Sequence, residues 1–301
     1  MRAIADALIT LDAPEARLRL VVCTASRVAR EARSRHSLAP GSAAALAQGL
    51  TAALLLAAHE RTRVDVQLEC NGPLRGLLVD GDQSGAVRGL VRASGLEGGP
   101  RAAEPHRFDA RPLLASAHDE RAGMLSILRA PAAGEPPHRA AFPFAGADLG
   151  AALTLFLRGD REQGGEMALE VLVSAREPLA AVAGVVVAPR EASDQEKGRM
   201  LGKPLRQGGL AEALRGADGA TAVAEAIARA FDLGPLHPRA QVEPRFACRC
   251  SRDRVVRALR SLGAPELGDM AARDGGARLT CDFCNAAYSF SAAELLQIAQ
   301  V

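Results

Sequence analysis

Two closely spaced pairs of cysteines near the C-terminal end constrain the folding of this chain more than any other feature of its sequence. Cys248 and Cys250 form a Cys-x-Cys pair, and a thirty-residue spacer separates them from the Cys-x-x-Cys pair Cys281 and Cys284. Four thiolates in two pairs are the ligand set of a tetrahedral structural zinc site. Because each pair lies on its own segment, one metal ion can hold together a module that is too small to be stable through its apolar core. We therefore predict that these four cysteines bind one zinc ion in the reduced protein.

The residues around the cysteines predict a small module of short strands and helices. Turn-forming residues, helix-capping residues and short apolar runs alternate along this part of the chain. The expected elements are an extended run over 246–250, a helix from Ser251 to Arg260, a turn over 274–276, a strand over 277–280, a metal-binding knuckle over 281–285, a strand over 287–290 and a final helix that begins with a capping box over 291–294.

Two other interpretations of the cysteines remain open from spacing alone. The four residues can be buried, reduced thiols that bind no metal. Alternatively, Cys281 and Cys284 can form a redox-active Cys-x-x-Cys motif of the thioredoxin type, although such a motif has its first cysteine at a helix N-terminus in a βαβ unit. Here a predicted strand precedes Cys281 and another follows the pair. Zinc binding is the interpretation that fits both the spacing and the surroundings.

The same spacing also predicts how the cysteines respond to oxidation. Neighbouring cysteines have the highest effective concentration for each other, because short loops close with the least loss of entropy. The expected disulfides are therefore Cys248–Cys250 and Cys281–Cys284, and their formation removes every metal ligand. Binding of a structural zinc contributes about 10–16 kcal/mol that is also folding free energy, so oxidation would unfold the module. A zinc site with a purely structural role is the alternative.

Four segments of the chain closely resemble the bacterial redox-regulated heat-shock chaperones, the thirty-three-kilodalton chaperonin family. Two of them contain the Cys-x-Cys and Cys-x-x-Cys pairs, whose spacing is very specific to that family, and all four cysteine positions match. The resemblance covers most of the chain in the same order. The segments are 242–254, 279–290, 64–74 and 87–89.

The resemblance implies a function and a set of partners. It implies an ATP-independent holdase chaperone that binds unfolding client proteins under oxidative stress and is activated by disulfide formation and zinc release. It also implies a monomer when reduced, a homodimer when oxidised, and transfer of clients to ATP-dependent refolding chaperones. No enzyme active site is found: 198–204 lacks the spacing of a phosphate-binding loop, the chain has no Gly-x-Ser-x-Gly motif, and its six histidines show no metal-ligand or nucleophile spacing.

Composition and pattern divide the chain into three parts and predict the α+β class. The hydrophobic fraction of 48% indicates a globular protein, and the net charge of +2 indicates no attraction to nucleic acid or membranes. We predict an N-terminal sheet-and-helix domain over 1–189, a metastable helical linker over 190–241 and a zinc-binding redox-switch domain over 242–301. Seven glycines in 191–240 weaken the linker helices, because glycine inside a helix costs about 1 kcal/mol relative to alanine.

Within the N-terminal domain, the pattern predicts strands over 17–22, 167–175 and 182–188, a three-stranded meander over 63–93, a hairpin built from 124–129 and 138–144, and a surface loop over 95–109. Thr24 or Ser26 is expected to cap a helix that runs toward Arg35. The uncharged stretch 38–58 is expected to be a helix buried against a sheet, because Pro40, Gly41 and several polar residues dilute it as a membrane span.

Cysteine usage and the first residues predict where the protein resides. Cys23 and Cys70 have no partner in the sequence pattern, so we expect both to be structural. Six cysteines, of which four have the spacing of metal ligands, suit the reducing cytoplasm, and 1–13 lacks the apolar run of a secretory signal. One competing function remains, a zinc-ribbon protein that binds nucleic acid, because five arginines lie close to the first cysteine pair. They are Arg249, Arg252, Arg254, Arg257 and Arg260.

Overall fold

The computed structural model of the protein describes residues 4–98, 105–115, 123–130, 136–144, 148–159 and 164–300. The chain divides into two units, Met1–Phe246 and Ala247–Val301. The predicted linker segment, 190–241, lies in the first of these units, as do residues 242–246. Part of the predicted loop over 95–109 falls outside the described residues. The mixture of sheets and helices confirms the predicted α+β class.

Fourteen strands are present in the described residues. Most of the long ones match runs that the sequence pattern predicts, whereas the first and the eleventh do not. In chain order they are β1 (Ala7–Ala13), β2 (Leu18–Thr24), β3 (Arg63–Glu69), β4 (Gly76–Gly81), β5 (Ala86–Val91), β6 (His106–Arg107), β7 (Gly123–Ala130), β8 (His138–Phe144), β9 (Glu166–Val173), β10 (Ala181–Pro189), β11 (His237–Val242), β12 (Arg245–Phe246), β13 (Gly276–Thr280) and β14 (Ala287–Ser291).

Ten α-helices accompany these strands in the described part of the chain. A π-helical turn, Leu205–Gly209, connects two of them, and Gly208 in that turn has a φ of 134°, which only glycine adopts readily. The helices are α1 (Ser26–His36), α2 (Pro40–Glu60), α3 (Arg111–Leu114), α4 (Leu149–Gly159), α5 (Gln195–Pro204), α6 (Leu210–Leu214), α7 (Ala220–Ala230), α8 (Arg252–Arg260), α9 (Ala264–Asp274) and α10 (Ala292–Ala299).

Two six-stranded sheets form the first unit, and α2 lies against strands of both. The first sheet has the order β11-β1-β2-β10-β9-β6, and the second has the order β12-β5-β4-β3-β7-β8. A side chain at Gly184 of β10 would come within 2.7 Å of Leu55 on α2, so glycine permits this close approach. Although α2 is long and apolar enough to span a membrane, 94% of its most apolar stretch is buried in the protein. This confirms the predicted buried helix.

The other face of the first sheet is covered by α5, α6 and α7. Leu201, Leu210 and Ile227 from these helices belong to one apolar cluster with Leu20 of β2 and Val185 of β10. Because neighbouring residues of a strand point to opposite faces, β2 and β10 bury side chains toward α2 as well as toward these helices. This explains why β10 is apolar along its whole length, and β2 from Leu20 to Cys23, instead of alternating. The predicted linker segment is thus part of a three-layer core.

A buried cluster of charges joins the π-helical turn to β9. Arg206 donates hydrogen bonds to Oε2 of Glu166 at 3.2 Å, to the carbonyl oxygen of Met167 at 3.1 Å and to the hydroxyl of Thr154 at 3.1 Å. Arg158 donates to the other oxygen of Glu166 at 2.6 Å. The side chain of Glu166 is only 2% exposed, and that of Arg206 is 15% exposed. The guanidinium of Arg206 is therefore one polar attachment of this segment to the sheet, and the carbonyl oxygen of Arg206 accepts a second hydrogen bond from Arg107 of β6 at 2.7 Å.

The prediction that Thr24 or Ser26 caps α1 is wrong. The N-cap position is Ala25, and no side chain there forms a capping hydrogen bond. Instead, the carboxylate of Asp6 accepts hydrogen bonds from the backbone N–H groups of Arg27 at 3.0 Å and Val28 at 2.9 Å. Burial raises the pKa of Asp6, and these backbone hydrogen bonds oppose that rise. The cap is therefore supplied from twenty residues upstream, where no local sequence pattern can indicate it.

Candidate metal centre

The two cysteine pairs come together in the second unit. Sγ of Cys248 lies 3.6 Å from Sγ of Cys281, and Sγ of Cys250 lies 3.4 Å from Sγ of Cys284. All four sulfur atoms lie within 4.8 Å of one another. A tetrahedral site with metal–sulfur bonds of about 2.3 Å separates its sulfur atoms by about 3.8 Å. The four thiols therefore have a spacing that suits one tetrahedral metal ion.

A tight turn presents Cys281 and Cys284 on the same side of the backbone. The carbonyl oxygen of Cys281 accepts hydrogen bonds from the N–H groups of Asn285 at 2.7 Å and Cys284 at 3.3 Å, and the N–H of Cys281 donates to Ala286 at 2.9 Å. Asn285 has a φ of 60°, as its ability to take the left-handed conformation predicts. β13 and β14 pair on either side of this turn, so the knuckle sits at the tip of a hairpin.

The first cysteine pair is held by the start of α8. Ser251 is the N-cap residue, and its hydroxyl accepts a hydrogen bond from the N–H of Arg254 at 3.2 Å. The predicted extended run over 246–250 is not found as such, because β12 ends at Phe246 and residues 247–250 form no regular structure. Helix α9 was not predicted, whereas the capping box of Ser291 and Glu294 at the start of α10 is confirmed.

Tyr288 is a neighbour of the cluster that the sequence analysis did not identify. Its hydroxyl donates a hydrogen bond to Sγ of Cys250 at 3.1 Å, which raises the pKa of Tyr288 to about 12. Tyr288 is the single tyrosine of the chain. Its position on a strand four residues after Cys284 predicts a core residue as readily as a hydrogen-bond donor to a cysteine sulfur. The sequence therefore carries no signal for this role.

Few apolar side chains support the second unit. Its buried core consists of five residues from the helices and β14. Arg252 adds to it, because its guanidinium lies 4.1 Å from the ring centroid of Phe290 and donates to Glu294 at 2.6 Å and to the carbonyl oxygen of Ser289 at 2.9 Å. A core of this size supplies little stability, so a metal ligand set is the kind of support that such a unit needs. The five residues are Leu259, Leu267, Ala271, Phe290 and Leu295.

The chemistry of the four thiols also fits a divalent cation. Burial raises the pKa of Cys281 and of Cys284 above the ordinary value of a thiol, so each favours its neutral form when no charge compensates it. A bound divalent cation removes that penalty and stabilises the thiolates. The donor set is all sulfur, which selects zinc or another thiophilic metal over magnesium or calcium.

The other two cysteines are separate from this cluster. Cys23 is completely buried on β2, where burial and the nearby charge of Asp6 raise its pKa well above the usual range. Cys70 is half-buried just beyond β3, and burial raises its pKa as well. Neither belongs to the group of metal-ligating side chains found among the described residues. Their positions agree with the structural role that we expect for both.

The arginines near the first cysteine pair do not act as one group. Arg252 is engaged inside the unit, as its contacts with Phe290 and Glu294 show. Arg254, Arg257 and Arg260 are exposed on α8. One of the five basic side chains that motivated the nucleic-acid alternative is therefore used to stabilise the fold.

Comparison with known proteins places the chain in one family. The sequence profile of the family described as Hsp33 protein matches residues 6–291. The chain is 34% identical to the 33 kDa chaperonin of Rippkaea orientalis and 32% identical to that of Synechocystis, in each case over 98% of this chain and 96% of the relative. The fold is also similar to the crystal structure of a 33 kDa chaperonin homologue from Thermotoga maritima, with a TM-score of 0.72, 20% identity, and coverage of 98% and 97% of the two chains.

The profile match and the curated relatives both extend over nearly the whole chain, including the segment that carries all four clustered cysteines. The chain belongs to the Hsp33 family.

Proposed function

We propose that this protein is an ATP-independent holdase chaperone in which oxidation of the cysteine cluster turns on the binding of unfolding proteins. Membership of the Hsp33 family supports a chaperone function, and the relatives are named chaperonins, which are not enzymes. The observation that carries the proposal is the cluster of four thiols within 4.8 Å of one another in a unit with a very small core.

In the reduced state, Cys248, Cys250, Cys281 and Cys284 would hold one zinc ion. When bound, zinc would keep the four thiolates together and add folding free energy to the second unit. The hydrogen bond from Tyr288 to Cys250 moderates the negative charge on that sulfur. The hairpin β13–β14 and the start of α8 keep both pairs in place.

The oxidative step converts four thiolates into two disulfides, Cys248–Cys250 and Cys281–Cys284. Each disulfide forms when two thiolates give two electrons to one peroxide molecule, which takes up two protons and leaves as two water molecules. The shortest S···S distances described above join different segments, so cross-linked pairs compete with these local pairs. Loop-closure entropy favours the local pairs, because each closes a much smaller ring. With either pairing, the zinc ion would lose its thiolate ligands, and the second unit would lose most of its stability.

Loss of the second unit is proposed to spread into 190–241, within the division of the chain into 1–189, 190–241 and 242–301. Seven glycines in this segment favour that step, and so does its place on the outside of the first sheet. Release of α5, α6 and α7 would uncover Leu20, Val185 and their apolar neighbours. Contiguous exposed apolar surface binds unfolded chains, and 1–189 retains its own core around α2.

The remaining parts of the proposal concern assembly and location. The partners are unfolded client proteins, and no nucleic acid or membrane is involved. The oxidised form is a homodimer and the reduced form is a monomer, both in the cytoplasm. The reducing environment there keeps the thiols available until oxidative stress occurs.

The test compares the reduced and peroxide-treated protein. Zinc content, free thiols and suppression of the aggregation of a thermally unfolded client are measured on the same samples. We expect about one zinc per chain and no suppression before oxidation, and loss of zinc, loss of four thiols and suppression afterwards. Equal suppression by the reduced protein would contradict the switch. DNA affinity that falls steeply with salt would support the nucleic-acid alternative instead.

A further inference from the structure

A short segment just before the first cysteine pair occupies the edge of the second sheet. We call residues 243–246 the strap. The strap includes β12, which pairs in parallel with β5 so that Arg245 is opposite Ala86 and Phe246 is opposite Val87. The N–H of Arg245 donates to the carbonyl oxygen of Gly85 at 2.8 Å. The main-chain hydrogen bonds of this pairing depend little on the side chains of the strap, so other sequences can make them.

A turn that requires glycine makes room for the strap. Gly85 has a φ of 82°, and a side chain there would come within 2.7 Å of the carbonyl oxygen of Glu243. Both the conformation and the contact exclude larger residues. The guanidinium of Arg245 also donates to the carbonyl oxygen of Ser84 at 2.9 Å. The strap therefore sits in a fitted depression at this end of the sheet edge.

Side chains of α1 recognise two residues of the strap. The ring of Phe246 is only 8% exposed, with the guanidinium carbon of Arg35 5.1 Å from its centroid and the ring of His36 edge-on at 6.5 Å. Arg27, at the start of α1, forms an ion pair with Glu243. The edge of β5 and this face of α1 together form what we call the edge groove. It holds an acidic residue and an aromatic residue three positions apart on an extended backbone.

The outer edge of β5 continues beyond the residues that pair with the strap. Hydrogen bonds from Asp82 to Ala86 and from Arg92 to Gly76 show that the even-numbered residues of β5 pair with β4. The odd-numbered residues therefore direct their N–H and C=O groups outward. The strap pairs only as far as Val87, and in the described residues no strand pairs with the outer side of Gly89 or Val91. The strap therefore pairs with the first part of this edge, and Gly89 beyond it is buried.

The strap is connected directly to the metal centre. Phe246 is the last residue of the first unit, and Ala247 alone separates it from Cys248. Holding Cys248 in the cluster restricts where Phe246 can go, and unfolding of the second unit removes that restriction. The strap is then held by its two paired residues, the buried ring of Phe246, the hydrogen bond from Arg245 to Ser84 and one exposed ion pair, so an extended chain that makes similar contacts can compete for its place.

We propose that the strap is an internal ligand, and that the edge groove is a binding site for extended segments of unfolded proteins that carry an acidic residue and an aromatic residue three positions apart. Binding adds a parallel strand to the edge of β5, in the mode by which peptides add to exposed sheet edges. The inference rests on the proposed function for the event that frees the groove, the unfolding of the second unit. The site itself is defined by contacts that are present in the folded chain.

The test uses a fluorescein-labelled peptide of residues 242–247, which reproduces the strap. Its affinity is measured by fluorescence anisotropy for the reduced full-length protein and for the Phe246→Ala variant, also reduced and with its zinc content verified. We expect binding to Phe246→Ala at least about tenfold tighter than to the unaltered protein, because loss of a buried aromatic anchor weakens the internal competitor. Glu243→Lys replaces the exposed ion pair with two like charges, Lys beside Arg27, and leaves the packing of Phe246 intact. This variant should also bind the peptide more tightly than the unaltered protein does.

Control variants show whether the peptide uses this groove. In the Phe246→Ala background, Arg27→Ala should weaken peptide binding about threefold, whereas Arg139→Ala on β8, at the opposite edge of the same sheet, should leave it unchanged. A peptide with alanine in place of its phenylalanine should bind at least about tenfold more weakly. Equal affinity of the peptide for the unaltered protein and both strap variants would overturn the proposal.

Aggregation assays on the oxidised protein keep the two proposals separate. If the oxidised protein suppresses aggregation but the peptide does not bind the strap variants, the edge groove is not the site and the chaperone function stands. If the peptide binds the strap variants while the oxidised protein does not suppress aggregation, the groove stands and the proposed function fails.

Discussion

Replacing Arg206 by methionine tests how the predicted linker segment is attached to the first sheet. The substitution keeps an unbranched apolar stem but removes the guanidinium, which donates to Glu166, Thr154 and the carbonyl oxygen of Met167. Glu166 then retains Arg158 on one oxygen and loses its partner on the other. The variant therefore leaves a buried carboxylate only partly compensated.

The expected loss of stability follows from these contacts. Removing one partner of a buried ion pair costs about 3–5 kcal/mol. Arg158 remains 2.6 Å from Glu166 but its side chain is 38% exposed, so it compensates part of the charge and we expect about 2–3 kcal/mol. Because each 1.4 kcal/mol is a factor of ten, the opening equilibrium of this segment should rise about 30- to 150-fold.

Hydrogen exchange of the reduced protein measures this change. Protection should fall in α5, the π-helical turn and α6, while the strands around α2 keep theirs. Arg199→Ala is the matched control, because Arg199 is on α5 but half-exposed and makes only a 3.6 Å ion pair with Glu196. Equal protection of α5 and α6 in the two variants would refute the role of the Arg206 guanidinium in attaching this segment. Loss of protection in all strands would show that the segment and the sheet unfold together.

Three further predictions concern the metal centre and the first sheet. Substituting any one of Cys248, Cys250, Cys281 and Cys284 by serine should lower the bound zinc measured by metal analysis, whereas Cys23→Ser and Cys70→Ser should leave it at about one per chain. Tyr288→Phe, which removes the hydrogen bond to Cys250, should raise the rate of thiol loss in peroxide up to about fivefold, since such a bond is worth about 1 kcal/mol; an unchanged rate would deny it a protective role. Burial alone would raise the pKa of Asp12, but hydrogen bonds from Arg239 and Arg19 outweigh it and hold the pKa below 3.8. This stabilisation is present above pH 3.8 and is lost as the pH falls through the folded-state pKa. The free energy of unfolding measured in urea should therefore fall more steeply between pH 5 and 3 for the unaltered protein than for Asp12→Asn.

The sequence predicts the cysteine cluster well because spacing alone restricts which side chains one metal ion can gather. It also predicts α2, since an uncharged run of that length must be buried somewhere, and the meander β3–β4–β5, whose turns contain glycine, asparagine and aspartate. These features depend on residues that are close together in the chain. Local pattern is sufficient for them.

Features that depend on distant residues are not predictable in this way. β11 has no alternating pattern and is mostly exposed, and it exists because β1 provides an edge for it. The cap of α1 comes from Asp6, and the hydrogen bond to Cys250 comes from Tyr288. The glycines of 191–240 predict weak helices, but the apolar contacts of α5, α6 and α7 with the first sheet are tertiary and leave no local signal.

The buried position of α2 has a consequence for synthesis of the protein. Its covering strands include β10, which begins at Ala181, about 120 residues after the helix ends at Glu60. Until the ribosome has delivered that strand, an apolar helix with nearly no polar face has nothing to pack against on one side. Contacts between residues so far apart in the sequence form slowly, and apolar segments that stay exposed until these contacts form are prone to aggregate. The nascent chain of this family member is therefore itself prone to aggregate. Both sheets must fold around α2 before the protein can bind other unfolded proteins.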